Sequence, residues 1–192
     1  MAELLPLLLC GEESAALAFG GGVAPAALAP AARAGLARIR REELVHGLLL
    51  QRLRLALPVV ELEPRLLARM RRFFIRLADC DPGRYFARIA GLDSAVCLLI
   101  GALRGRRALL GADPAVAATF ARIHHDEAGH VDTARRIALG CVPARSAIDV
   151  ATETRRRLVA LLWERGAAFE QLGIDADALF ARVGNVSRGI FG

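Results

Sequence analysis

The sequence predicts an all-α protein: a four-helix bundle with one crossover connection and additional helices at the C-terminal end. Three observations carry this expectation. Alanine, leucine and arginine dominate, and aromatic residues make up only 5% of the chain, a composition that favours helix. Apolar residues recur at steps of three and four, with no competing strand pattern and no domain-scale repeat. The long helical segments fall into two pairs, and the link between the pairs is long enough to hold a short helix of its own. At 192 residues the chain is one domain by length and can bury a real core. Residues 1–140 form the expected bundle and 141–192 the added helices.

The first helix is expected from about Ala2 to Phe19, stopping at the glycine run Gly20 to Gly22. A Pro- and Ala-rich connection leads to a second helix from Pro30 to Leu57, closed by Pro58. The stretch "VVELEPRLLARMRRFFIRLAD" holds one shorter helix, opened by Pro64 near its first turn and broken at "CDPG". The next long helix runs from about Pro82 to Leu103. Asp113 and Pro114 then supply an N-cap and a first helical residue for another, which ends near Gly140, before Pro143. A further helix is expected over Ser146 to Leu172, and a short one from near Asp175.

The chain holds four histidines, three of them in "HHDEAGH" and the fourth in "REELVHG". Both stretches contain an acid followed by Glu-x-x-His. On the helix over 30–57 the stripe reads Leu36, Ile39, Glu43, His46, Leu50, Leu53 and Leu57, so a Glu and a His interrupt an otherwise apolar face. The helix after Asp113 repeats this with Val116, Phe120, Ile123, Glu127, His130, Ala134 and Ile137. Over 82–103 the stripe Phe86, Ile89, Asp93, Val96, Ile100 and Leu103 has one acid, and on the first helix Leu5, Leu8, Glu12, Ala15 and Phe19 also have one.

Four carboxylates and two imidazoles therefore face an apolar core. A buried carboxylate costs several kcal/mol, roughly, and four close together repel one another. No arginine falls on these stripes. Two metal ions would neutralise the cluster, and carboxylate with imidazole is the ligand set of iron or manganese. Residues i and i+3 share a helix face, so each Glu-x-x-His helix can offer a bridging carboxylate and a terminal nitrogen. A single Glu-x-x-His is commonly a surface pair, and a metal-free structural role is the competing reading. Two on core stripes, with single acids in register on two other helices, favour metal. Glu13 competes with Glu12 as the ligand of the first helix. Glu3 and Ser14 share one face there and place Glu12 on the opposite one.

This pattern resembles the ferritin-like di-iron carboxylate proteins, which carry one acid on each of two helices and Glu-x-x-His on the other two. The resemblance covers residues 1 to about 140. "GEESAALAF" is similar to the first metal motif of the demethoxyubiquinone hydroxylases and rubrerythrins, with Phe19 in place of the usual tyrosine. "DEAGHVDTA" is similar to the last metal motif of the same hydroxylases. The resemblance implies metal-ligand roles for Glu12, Glu43, His46, Glu127 and His130. Asp93 stands where these families mostly use Glu. It also implies that Asp126 and Glu42, each preceding a ligating Glu, orient a histidine from the opposite helix, Asp126 serving His46 and Glu42 serving His130. For Glu42 the competing reading is a solvated acid beside Arg40 and Arg41. His124 and His125 lie off the stripe and are read as surface or supporting residues.

The implied activity is that of a di-iron oxidoreductase, an oxidase or monooxygenase that uses dioxygen and a separate electron donor or reductase to act on a small organic substrate. Two iron ions are the expected cofactor, with manganese or a mixed manganese/iron pair fitting the same ligands. The alternative is a ferroxidase or iron-storage protein. Two histidines favour the first, since ferritin ferroxidase sites carry one, although bacterioferritin sites carry two. A rubrerythrin-type peroxidase lacks its usual rubredoxin cysteines here, and a tRNA-modifying hydroxylase fits the basic charge but no specific motif.

The formal charge is +6 and the pI about 10.3, all of it from arginine. The arginines are scattered and only one Trp and one Tyr accompany them, so nucleic acid is not the expected partner. Cys10, Cys80, Cys97 and Cys141 form no C-x-x-C pair, which fits a reduced, cytoplasmic setting. The start "MAELLPLLLCGEES" imitates a lipoprotein signal but lacks a basic n-region and carries Glu3. The longest charge-free stretch, "SAVCLLIGAL", is too short to span a bilayer, while the apolar content permits peripheral membrane contact. A homodimer is compatible with the pattern. The helix carrying Arg155, Arg156 and Arg157 is assigned to covering the bundle or to a partner.

Overall fold

The computed structural model describes residues 1–21, 28–60, 63–105 and 113–191. Among them the protein is all-α, without a strand. Gly22, the end of the glycine run, and residues 23–27 of the Pro- and Ala-rich connection lie outside the described residues. The chain divides into two compact units, Ala2–Pro82 and Gly83–Gly192, with Met1 grouped with the second. The division falls after the segment that links the two pairs of long helices.

The first unit holds α1 (Leu5–Gly21), α2 (Pro30–Leu55) and α3 (Pro64–Ile75). α1 lies along α2 and also touches α3. α2 keeps the expected stripe: Ile39, Glu43, His46 and Leu50 are buried. It ends at Leu55, two residues early, because Pro58 forces Leu57 out of helical geometry and the last turn unwinds ahead of it. α3 opens with Pro64 at its first turn, as expected, and buries Leu66, Met70 and Phe73 on one face. On α1 the stripe is rotated from the expected one. Leu9 and Ala16 are buried, while Leu8 and Ala15 are only half-buried. Leucines surround this helix, so its hydrophobic pattern defines no sharp phase. Glu12 lies on both versions of the stripe and is buried, whereas Glu13 is exposed.

The second unit holds α4 (Pro82–Leu103), α5 (Pro114–Leu139), α6 (Ala144–Leu162), α7 (Gly166–Glu170) and α8 (Ala176–Gly184). α4 is buried on nearly every face, from Tyr85 and Phe86 to Ile100 and Leu103. By length and composition alone it could cross a bilayer, a test that a buried core helix also passes. The Asp113 side chain caps α5, accepting from the amides of Ala115 and Val116 at 2.8 and 3.1 Å. Asp175 caps α8 through the amide of Ala178. The single helix expected over 146–172 is broken instead. α6 ends at Leu162, a 3₁₀ turn covers Trp163–Arg165, and α7 restarts at Gly166. Gly166 faces α8, where a Cβ would make ordinary van der Waals contact with Ala176 at 3.7 Å. Phe180 of α8 packs edge-on against Phe169 of α7, with ring centres 5.5 Å apart.

α4 and α6 come close at Gly91. A Cβ on Gly91 would lie 2.8 Å from Cβ and 2.9 Å from Cα of Ala151. Exchanging Gly for Ala in a helix ordinarily gains about 1 kcal/mol, but here the obstacle is partly backbone and overpacking costs roughly 1–3 kcal/mol. Gly91→Ala is therefore expected to lower the urea midpoint. Gly47→Ala in α2, where nothing lies within 4 Å of the new Cβ, should raise it. The reverse order of midpoints would contradict this packing.

Candidate metal centre

In the first unit, α1 supplies Glu12 and α2 supplies Glu43 and His46, and their ligand atoms lie within 4.8 Å of one another. All three side chains are buried, with 6%, 2% and 0% exposure. His46 turns Nδ1 to the carboxylates, 3.3 Å from Glu12 Oε2 and 3.7 Å from Glu43 Oε2. The i,i+3 spacing of Glu43 and His46 puts both on the face of α2 that meets α1. The apolar residues on either side, Ile39 and Leu50, hold that face inward.

In the second unit, α4 supplies Asp93 and α5 supplies Glu127 and His130, again with ligand atoms mutually within 4.8 Å. These side chains are also buried. His130 Nδ1 stands 3.7 Å from Glu127 Oε1, the same i,i+3 relation as in α2. Phe120, Ile123, Ala134 and Ala138 fix the phase of α5 and are buried with the ligands.

These donor sets fit metal. Each triad carries two carboxylates and one imidazole, so two negative charges match one divalent cation. An octahedral ion with bonds of about 2.1 Å holds neighbouring ligand atoms about 3 Å apart and opposite ones about 4.2 Å apart. The imidazole–carboxylate separations, 3.3 and 3.7 Å in the first triad and 3.7 Å in the second, fall between these values. Carboxylates buried at this density without a cation would repel strongly in a low dielectric. Oxygen donors with one nitrogen are the set expected for iron or manganese.

The residues around the triads divide into several kinds. Asp126 is buried and accepts from Arg122 Nε at 2.6 Å. Glu42 is half-buried and pairs with Arg38 at 3.1 Å. Asp132 of the "DEAGHVDTA" motif is exposed, where Arg135 and Arg136 hold its carboxyl below the usual range. Thr133 of the same motif donates to the Gly129 carbonyl at 3.0 Å. His124 is half-buried at Gly101, its imidazole 3.7 Å from where a Cβ would stand, and burial followed by the charge of Arg104 pushes its pKa down. His125 is exposed.

Burial, then the charges of Glu127 and Asp93, push the Cys97 thiol up to about 12. Burial and then Asp93 push the Tyr85 phenol up to about 12 as well. Both side chains are neutral at physiological pH and adjoin the electrostatic field of the second triad.

Sequence reasoning missed Arg155. It is 1% exposed, the largest fully buried side chain among the described residues, although it sits in an arginine run read as a covering or partner surface. Its neighbours Arg156 and Arg157 are indeed exposed, Arg157 pairing with Glu153 at 2.7 Å. The available signal was the stripe Ala147, Ala151, Arg155, Leu158 and Leu162 on α6, which carries one cation among small and apolar residues. Comparison with protein-family models, with curated proteins and with solved structures finds no match for this chain.

Proposed function

We propose that the protein is a di-iron oxidoreductase of ferritin-like plan that activates dioxygen to oxidise or hydroxylate an organic substrate. The observation that carries the reading is the pair of buried triads, Glu12, Glu43 and His46 in one unit and Asp93, Glu127 and His130 in the other. The joining of the two triads around one pair of ions rests on the resemblance of the motifs. Ferrous ions held by these residues would supply the electrons and open coordination positions that dioxygen chemistry requires.

The chain's own part is to hold and to shield. Helix backbones fix both Glu-x-x-His pairs at the spacing a shared ion needs. Ile39, Leu50, Phe120 and Ile123 exclude water from the carboxylates, which strengthens every charge interaction there. By the resemblance of the motifs, Asp126, paired with Arg122, would accept an imidazole N–H and raise the basicity of that ligand.

The test is anaerobic loading with ferrous iron, followed by admission of air. Oxygen uptake together with ferric absorption is the expected result. Ferrous protein that stays unchanged in air overturns the oxygen-activating reading. Gel filtration of the same sample separates it from iron storage, which requires a cage assembly.

A further inference from the structure

Arg155 lies on α6, outside the helices that carry the triads, and its charge has no counterpart in the mechanism above. Arg155 is 1% exposed, and among the described residues neither Nε nor Nη2 has a hydrogen-bond partner. Those two nitrogens form the edge of the guanidinium whose N–H bonds run parallel, the fork that takes both oxygens of a carboxylate. A buried cation left in this condition is strongly unfavourable, and the usual remedy is an anion.

The neighbouring side chains do not supply one. Cys97 is the titratable group that raises the pKa of Arg155, against the larger lowering by burial. Its thiol is pushed so high by burial and by Glu127 and Asp93 that it stays protonated. Cys97 stands one helical turn beyond Asp93 on α4, and it is the residue whose thiol feels Glu127, Asp93 and Arg155 together. Ala151, one turn before Arg155, is where α6 meets Gly91 of α4. The open fork thus belongs to the helix that packs on α4, which carries both Asp93 and Cys97.

We infer that Arg155 anchors the carboxylate of a small organic acid through its Nε and Nη2 edge, beside the triad of Asp93, Glu127 and His130. This deepens the proposed function by naming its substrate class, and rests on that reading for the chemistry that follows binding. The acid group pairs with Arg155, and the rest of the molecule extends past Cys97 towards the ligands. A neutral thiol is suited to that position, since an anion there would compete for the cation. The Tyr85 hydroxyl, buried and with no hydrogen-bond partner among the described residues, is a further donor in the same unit.

The experiment is calorimetric titration of the full chain with acetate, hexanoate and benzoate, with hexanol and phosphate as comparison ligands. It is run on metal-depleted and on iron-loaded protein, with the metal content of each sample measured. Saturable binding of one carboxylate per chain is expected at concentrations up to about 10 mM. Arg155→Lys, which loses the fork but keeps the charge, should weaken it about tenfold, and Arg155→Met should abolish it. Hexanol should not compete. Absence of carboxylate binding by the unaltered protein, or equal affinity in Arg155→Met, overturns the anchor. Phosphate binding that outcompetes the carboxylates also overturns it, in favour of an inorganic oxyanion. If Arg155→Met does not fold, the Lys variant and the hexanol comparison decide the matter. Carboxylate binding lost with full metal content removes the anchor alone. Carboxylate binding retained by a chain that takes up no metal removes the di-iron reading and leaves the anchor standing.

Discussion

Replacing His46 and His130 together by alanine is expected to reduce bound metal from about two ions per chain to well below one. Each triad has a single nitrogen donor, and both rings turn Nδ1 to the carboxylates of their own triad, 3.3 Å away in the closest case. Without the ring, two carboxylates remain in each triad, and the ion loses a third of the protein ligands that the triad offers. Removing even an outer partner of a ligand weakens binding about 10- to 100-fold, and removing the ligand itself should do more. Each single variant should lose about one ion of the two. Both rings are 0% exposed, so truncation also leaves cavities and a stability loss of about 1–3 kcal/mol. His46→Gln and His130→Gln fill more of that volume without restoring an imidazole, which separates ligand loss from unfolding. Metal analysis after dialysis reads the result. A double alanine variant that still folds and still carries two ions would end the metal reading.

The sequence was most informative where one polar pair broke a long apolar stripe. On α2 and α5 the i,i+3 spacing of Glu and His left one helical phase that buries the flanking Ile39, Leu50, Phe120 and Ile123, and the structure adopts it. α1 was less legible because leucines occupy all its faces. Its phase is set by packing on α2 and α3, a tertiary effect that periodicity does not record. The break in α6 and α7 is of the same kind. Trp163, Glu164 and Arg165 do not break a helix by themselves, and the interruption accompanies the packing of α8 on α6 and α7. Arg155 was hidden by its neighbours: in a run of arginines, the stripe assigns only one to the interior. Charged residues are so rarely buried that composition argues against such an assignment.

Asp93→Asn is expected to lower metal content by about one ion per chain while leaving the metal-free protein as stable as before, or more so. Asp93 is 4% exposed on a helix whose other core positions are apolar or small. Its charge reaches Tyr85 and Cys97, both of which it pushes towards their neutral forms. A carboxylate held in that setting by design should have a cation to hold, and the ligand atoms of Glu127 and His130 converge with it. Asp is one methylene shorter than Glu, so Asp93 is suited to bind an ion through one oxygen and to leave that ion more open than a chelating Glu would. Asparagine keeps the shape and removes the charge, so metal affinity should fall without a cavity. Asp93→Leu removes the donor altogether and should lower metal content further, with the metal-free protein gaining from the lost desolvation cost. The two measurements are metal content after dialysis and the urea midpoint of the metal-free protein. If both variants keep their full metal content and the metal-free protein is instead strongly destabilised, Asp93 is a structural residue. The second triad then reduces to the Glu-x-x-His of α5.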